Sequence, residues 1–495
     1  MYAGGSSPVA ESQPHDDRAH SIQGARKNFL TLLGQATSFI FGAVASRLFG
    51  QAAWGSYTTA FAWVDVLVRT SVLAGDKALL VFVPARRAEG DEAGATRAVG
   101  VALRISAIAS VLAAIVMLIA SFPVAAISDV PLHGTAMRIL APFVVVSALS
   151  MTLLAATMAV KVLDYNLYAK GLVEPLLMLS LAAGLGFTVG SLPALAVVPV
   201  LSGTAALVIA VGGVRRLFVL RDVLASARRE KIDRAHLRFV LPLAVSEFLN
   251  IVSMRLGSLV LVAYVAAAPI AVFNTSALLA STVSYVRGAF DTVLGPIASE
   301  AWATKNLGRL ATNLQAQSRM VLLFAVPLAS VFIVGGGAVL SVYGPGYTWG
   351  HGTLAWLTLA HVVNATLGLV GWVLMAAHET RAMMVNNIIK VAVELVLLLL
   401  LIPLLGIEGA AIATAAAILT LQLLQVWEVW RLAKIHPFSV GMVRIGLLGV
   451  VVILAELLAY RHLGGPVFLR AGIPLAVGTP LYFLVAWRWR DMQRS

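Results

Sequence analysis

The stretch RRLFVLRDVLASARREKIDRAHLR, residues 215–238, is the most polar internal segment of a chain that is otherwise a series of long apolar runs. It interleaves Arg, Lys, Asp and Glu with Leu, Val and Phe, which predicts an amphipathic cytosolic linker over 214–238 lying along a membrane surface. The chain before it and after it follows one plan. On the N-terminal side apolar runs fall at 28–47, 55–75, 98–120, 137–160, 170–190 and 193–213. On the C-terminal side they fall at 239–264, 269–291, 319–342, 353–377, 383–404 and 409–430, with a last pair at 443–461 and 470–488. Each is about the twenty residues that an α-helix needs to cross a hydrocarbon core of about 30 Å with its backbone hydrogen bonds satisfied. The expected architecture is an all-α membrane protein of about 14 transmembrane helices. It comprises a six-helix bundle at 27–213, a second at 239–430, and two C-terminal helices with a cytosolic tail at 431–495.

Composition agrees, since 60% of the 495 residues are apolar and 12% charged, whereas a soluble domain carries about a quarter charged residues. Residues 1–26, rich in Gly, Ser, Pro, Asp and His and without an apolar core ahead of a cleavage site, read as a disordered cytosolic tail. The formal charge of +13 sits in short loops without basic and aromatic interleaving, so it reads as topology and not as nucleic-acid binding. Arg26 and Lys27, Arg86 and Arg87, Lys161 and Lys170, the 215–238 linker, Lys305 and Arg309, Arg381, Arg431 and Lys434, and Arg488, Arg490 and Arg494 all fall on one side. The positive-inside rule makes that side the cytosol. The loops 121–136, 265–268 and 343–352, on the other side, carry no Lys or Arg. Both termini are then cytosolic, in a multi-pass protein of a bacterial-type inner (cytoplasmic) membrane. Cysteine is absent, which leaves neither a disulfide framework nor a thiolate nucleophile.

A shift of about 216 residues lays GSYTTAFAWV (55–64) near PIAVFNTSAL (269–278), loosely in letters and closely in layout: long span, short uncharged loop, long span, polar loop. Six spans per half is an even number, so both halves insert the same way. They would be related by a pseudo-twofold axis along the membrane normal and enclose a central cavity.

Four stretches carry a family resemblance: RLFGQAAWGSY (47–57), GDKALLVFVPARRAEGDEAGA (75–95), NATLGLVGWVLMAAHETRAMMVNN (364–387) and PLLGIEGAAIATA (403–415). Together they resemble the polysaccharide flippase (Wzx-like) branch of the MOP superfamily, which also holds the MATE exporters and the MurJ lipid II flippases. Val81 stands where that pattern often has a basic residue, and His378 where it often has glycine. The resemblance covers residues 28–434. It implies translocation of a lipid-linked oligosaccharide for surface or exopolysaccharide assembly, alongside a polysaccharide polymerase and export proteins.

Ionisable groups inside apolar spans are costly, about 2.5 to 3.5 kcal/mol each on insertion scales, so they face a partner or a watery cavity. In span two, Asp65 and Arg69 are four apart on one helical face and are expected to neutralise each other or to line the cavity. Span seven carries Glu247, Asn250 and Arg255, and the Arg255 fork suits phosphate oxygens. Arg287 and Asp291 in span eight, and Lys390 and Glu394 in span eleven, repeat the spacing. His361 and Asn364 share a face of span ten, where a histidine titrating near neutral pH could couple transport to protons. The expected substrate-binding residues are Arg69, Arg255, Arg287 and Lys390. Asp65, Glu247, Asp291, Glu394 and His361 are the expected coupling groups or charge partners. Glu174, Glu428 and Glu456 lie toward helix ends and receive no role.

No phosphate-binding Gly-rich loop with Lys and no His-Glu-x-x-His helix is present, so neither catalytic residue, metal nor cofactor is expected, and the chain is not read as an enzyme. The function these residues and the resemblance point to is the flipping of a polyprenyl-pyrophosphate-linked oligosaccharide by alternating access among membrane lipids, with a proton or sodium ion as candidate driver. Its rivals are a lipid II flippase, a cation-coupled multidrug exporter, and a membrane-embedded glycosyltransferase or polymerase.

Overall fold

The computed structural model describes residues 34–491 except positions 35, 74, 128–130 and 230–233, and at some helical positions the backbone alone. The expected tail at 1–26 lies outside the described residues. No strand occurs among the described residues. The first half contains α1 (Ala36–Phe49), α2 (Gln51–Val72), α3 (Gly75–Ala88), α4 (Glu92–Ile127), α5 (Pro131–Ala159), α6 (Asp164–Thr188) and α7 (Leu192–Leu217). Helix α8 (Leu220–Arg229) follows, and α9 (Arg234–Leu261) opens the second half. That half continues through α10 (Ala267–Ala303), α11 (Leu307–Val334), α12 (His351–Leu367), α13 (Val370–Ala376) and α14 (Thr380–Ala433), and α15 (Val440–His462) and α16 (Val467–Asp491) end the chain.

The described parts of the fourteen hydropathy segments fall mainly on these helices, but not one to one. Nine helices among the described residues are singly long and apolar enough to span, and Pro345–Leu367 with α13, bent by 42°, is long and apolar enough when the two are taken together. Helix α14 has 54 residues and would measure about 80 Å if straight, yet it doubles back at Gly406, whose φ of 58° and ψ of −131° interrupt the helix. Residues on its two arms therefore meet: Thr414 donates to Glu394 at 3.0 Å and Asn386 to Glu428 at 2.6 Å. A side chain at position 406 must strain this turn. Gly406→Ala is expected to destabilise the protein by about 1–3 kcal/mol, read as a lowered thermal midpoint in detergent; an unchanged midpoint would show that the hairpin does not depend on glycine.

Helix ends explain their own positions. The Asn306 side chain accepts from the Arg309 amide at the start of α11, and Ser439 from the Met442 amide at the start of α15, satisfying amides that have no intrahelical partner. Lys161, Lys305 and Lys434 take left-handed φ angles just beyond helix C-termini, where a cation complements the helix dipole. His378, where the resembling family often has glycine, has φ 59°, in the region glycine enters without penalty.

The halves repeat one packing scheme. In the first, α2 packs on α4 and α5, and α5 packs on α7; in the second, α10 packs on α11 and α12, and α12 on the second arm of α14. The first and fifth spans also touch in both, through Gly34 against Gly171 and through Ser253 bonded to Glu394. Helices α15 and α16 stand outside the repeat and pack on α11 through Leu322, Val326, Met442 and Val452. On α4, Ile108, Leu112, Ile115, Ile119 and Phe122 stay exposed, an apolar stripe suited to lipid. Helix α8 buries Val223 against α4 and leaves Arg221, Asp222 and Arg228 outward. Helix α2 is richer in Ser, Thr, Tyr and Trp than other spans because it faces the opposite half, against α9 and α10.

Candidate functional site

The seam between the halves is built on α2. Near its start, at the end of the molecule whose loops 265–268 and 343–352 carry no Lys or Arg, Gly55 lies flat against the Ala267 carbonyl. Trp54 Nε1 donates to Thr275 Oγ1 at 3.2 Å, and Asn274 Nδ2 donates to Thr58 Oγ1 at 2.9 Å. Thr58 and Asn274 are 216 residues apart, the offset of the internal repeat, so equivalent positions of the two halves meet on the axis that relates them. Ser258 Oγ in turn donates to Asn274 Oδ1. Arg47, an Arg at the charge-poor end, donates to the Val342 and Ser341 carbonyls at 2.6 and 3.0 Å, and Gln51 to the Gly346 carbonyl at 3.0 Å. Ser46 donates to the Tyr343 carbonyl. Beside these ties Trp54 stacks on Tyr57 at 5.3 Å between ring centroids, and Phe41 closes on both edge to face.

Deeper in the seam, Asp65 Oδ2 accepts from Arg255 Nε at 3.0 Å and Nη2 at 2.7 Å. The expected Asp65–Arg69 pair is therefore not the one that forms. Arg69 is exposed, and Asp65 is held by a guanidinium of the opposite half that offers two N–H groups at once. Helical spacing within α2 is blind to a partner on α9. The side chains of Asp65 and Arg255 remain 24% and 39% exposed, so the pair borders open space and is not sealed in packing. Asn250 is exposed on the same helix, and the Glu247 side chain lies outside the described residues.

A second polar network runs inside the second half. Arg287 Nε bonds Asp291 Oδ2 at 3.2 Å, the pairing expected from their spacing, and Trp372 Nε1 donates to Asp291 Oδ1 at 2.8 Å. Arg287 Nη1 also donates to the Asn364 carbonyl at 3.2 Å. Asn364 donates to Ser284 Oγ at 3.2 Å and accepts from Gln422 Nε2 at 3.0 Å, while Ser284 Oγ bonds His361 Nδ1 at 2.8 Å. His361 and Asn364 thus share a face. Asn364 joins three spans, and Asn364→Leu would leave Gln422 short of an acceptor and Ser284 short of a donor, while the backbone carbonyl that Arg287 uses would remain. The expected cost is about 2 kcal/mol or more, read as a lowered thermal midpoint; a midpoint equal to that of the unsubstituted chain would mean the network is not under load.

Glu394 is 1% exposed and accepts from Ser253 Oγ at 2.9 Å and Thr414 Oγ1 at 3.0 Å. Among the described residues no ion pair joins it to Lys390. Hydroxyls on α9 and the second arm of α14 reach it first. Glu456, expected toward a helix end, is instead 3% exposed and accepts from Ser330 Oγ, because α16 folds over it. Glu174 pairs with Lys170 at 2.6 Å. Sequence reading passed over Thr58, Asn274, Ser253, Thr414 and Trp372. Only the first two left a signal, the matching positions in the repeat.

Solved structures of membrane transporters share this fold. The chain resembles a multidrug resistance MATE family transporter of the MOP superfamily in its inward-facing conformation, with a TM-score of 0.68 at 16% identity over 81% of this chain and 95% of that one. It resembles the lipid II flippase MurJ in an inward closed conformation with a TM-score of 0.69 at 14% identity over 94% of this chain and 99% of that one. Against an outward-facing MATE family transporter the TM-score is 0.54 at 16% identity, over 83% of this chain and 95% of that one. No family model matches the sequence, and no curated protein matches it.

Proposed function

We propose that this protein flips a polyprenyl-pyrophosphate-linked oligosaccharide from the cytosolic to the outer leaflet of a bacterial inner membrane. It does so by alternating access, without covalent catalysis, as one step of surface or exopolysaccharide assembly. The observation that carries the reading is the Arg255 fork at the seam, half-exposed, with the further exposed cation Arg69 one turn beyond its Asp65 acceptor. Asp65 cancels one of these two guanidinium charges, so the seam keeps an excess positive charge for an anionic headgroup. A planar fork binds phosphate oxygens in pairs. Arg287 and Lys390 extend the basic lining into the second half, with Asp291 as the partner of Arg287, Glu394 as a coupling group and His361 as a candidate proton carrier. The division into bundles at 27–213 and 239–430 joined by the 214–238 linker belongs to the same proposal.

Most inter-half hydrogen bonds cluster at the end whose loops, 265–268 and 343–352, carry no Lys or Arg, which the positive-inside reading makes the outer side. The seam is then closed outward, and the higher TM-score with the inward-facing than with the outward-facing MATE transporter agrees. A multidrug exporter for cations would present free acids, whereas Asp65 is bridged and Glu394 is capped by two hydroxyls. Lipid II is the second reading for the cargo, favoured by the 94% of this chain that the MurJ comparison covers. Reconstitution into liposomes with a fluorescent lipid-diphosphate-linked saccharide tests the proposal. Movement between leaflets with the substrate chemically unchanged is expected, and a new glycosidic product without movement would replace a flippase by a transferase. Depletion separates the cargoes, since lost viability points to lipid II and lost surface polymer to another saccharide.

A further inference from the structure

Asp65 has two basic neighbours and uses one. Its Oδ2 takes both Nε–H and Nη2–H of Arg255 from the opposite half, while Arg69, four residues further along the same helix, is exposed and makes no ion pair among the described residues. An acid four residues ahead of a base is a workable intrahelical pairing. Helix α2 therefore carries a second, unused place for the Asp65 charge.

We infer that Asp65 is a resident anion that exchanges partners, bridging to Arg255 while the seam is closed and turning to Arg69 when a substrate diphosphate takes Arg255. This rests on the proposed diphosphate headgroup. Without Arg69, displacing Asp65 would leave a half-buried carboxylate with no cation to face, which opposes the exchange. With Arg69 in place, one ion pair is traded for another and an Arg–diphosphate pair is added. The geometry also gives the incoming anion a foothold. Arg255 Nη1 is not engaged by Asp65, and the side chain is 39% exposed, so phosphate oxygens can bind that edge before the bridge opens.

Two properties follow. Asp65 sets a threshold for cargo, because a ligand must outcompete a carboxylate already held by two N–H groups. A diphosphate has the charge and the number of oxygens to do so, and a monophosphate has less of both. The exchange also ties loading to opening, because the bond it breaks is one of those that hold α2 to the second half.

The cysteine-free chain allows a direct test. Thr275, 1% exposed beneath Trp54, is replaced by Cys, and its reaction with a bulky maleimide is timed in lipid nanodiscs, where both ends are accessible. Farnesyl diphosphate and farnesyl monophosphate serve as probes, with their binding measured separately. The expected result is slow labelling, accelerated about tenfold by the diphosphate and little by the monophosphate. Asp65→Asn, close in shape, should label fast without ligand and no longer distinguish the probes. Arg69→Gln should blunt the diphosphate response when Asp65 is present and change nothing in the Asp65→Asn background. Thermal midpoints confirm that each variant is folded. Diphosphate binding with Arg69→Gln acting equally in both backgrounds would overturn the exchange alone, as would equal acceleration by the two probes with Asp65 intact. Absence of binding and of response to either probe in every variant would overturn the diphosphate reading and the exchange with it.

Discussion

Arg255→Ala is expected to insert and fold but to translocate a lipid-diphosphate-linked saccharide about 100-fold more slowly, and Arg255→Lys about 10-fold more slowly. The difference follows from what each residue can present. Arg255 offers a rigid fork, two arms of which hold Asp65 at 3.0 and 2.7 Å. Charge-assisted hydrogen bonds are worth about 1.5–3 kcal/mol each, so losing a two-bond contact to a diphosphate amounts to about two powers of ten at the low end of that range. Lysine keeps the charge but supplies a point donor, which cannot make two parallel bonds. Alanine also leaves Asp65 without its partner, so some loss belongs to the seam and not to the cargo. Asp65→Ala combined with Arg255→Ala separates these: the double variant should regain thermal stability and remain inactive. The rate is read in proteoliposomes by quenching of outer-leaflet fluorescence, with membrane insertion checked by size-exclusion chromatography of extracted protein. Translocation by Arg255→Ala within about twofold of the unsubstituted rate would remove this residue from the binding site.

The fold was largely legible because lipid imposes a one-dimensional rule. Apolar runs of a set length must be helices, and Lys and Arg in short loops orient them, so the segments fall mainly on helices wherever they are described. Hydropathy separates 383–404 from 409–430, and the break between them contains Gly406, the single residue at which α14 turns. The pairs Arg287 with Asp291 and His361 with Asn364 were readable because both members lie on one helix. Asp65 with Arg255 was not, since the chain separates them by 190 residues and nothing in the period of α2 points across the seam. Glu394 shows the same limit. Spacing suggested Lys390, and tertiary packing supplied Ser253 and Thr414. Glu456 looked peripheral along its own helix and is buried only because α16 covers it. Spacing within a helix thus found the charges, while packing between helices decided their partners.

Gly55→Ala is expected to slow transport about 100-fold while leaving the bundles folded, because the backbones of the two halves meet at this position. A β-carbon at residue 55 would sit 1.8 Å from the Ala267 carbonyl oxygen and 2.6 Å from its carbon. That obstacle is backbone at the start of α10, and it cannot rotate away as a flexible side chain would. Relief requires α2 and α10 to part by about 1.5 Å, since non-bonded carbon contacts settle near 3.5 Å. Separation of that size breaks the Trp54–Thr275 and Asn274–Thr58 hydrogen bonds, at 3.2 and 2.9 Å, which have little length to spare. Within either half nothing is disturbed, so the damage is confined to the state in which the seam is shut. A cycle that must pass through that state should slow by about 100-fold, and Cys at position 275 should be labelled rapidly with or without ligand. Gly184→Ala is the control, because a β-carbon there meets nothing within 4 Å and alanine favours the helix. It should transport normally. If Gly55→Ala also transports normally, with position 275 still protected, the contact between α2 and α10 is only a place where two bundles rest, and the gate must lie elsewhere.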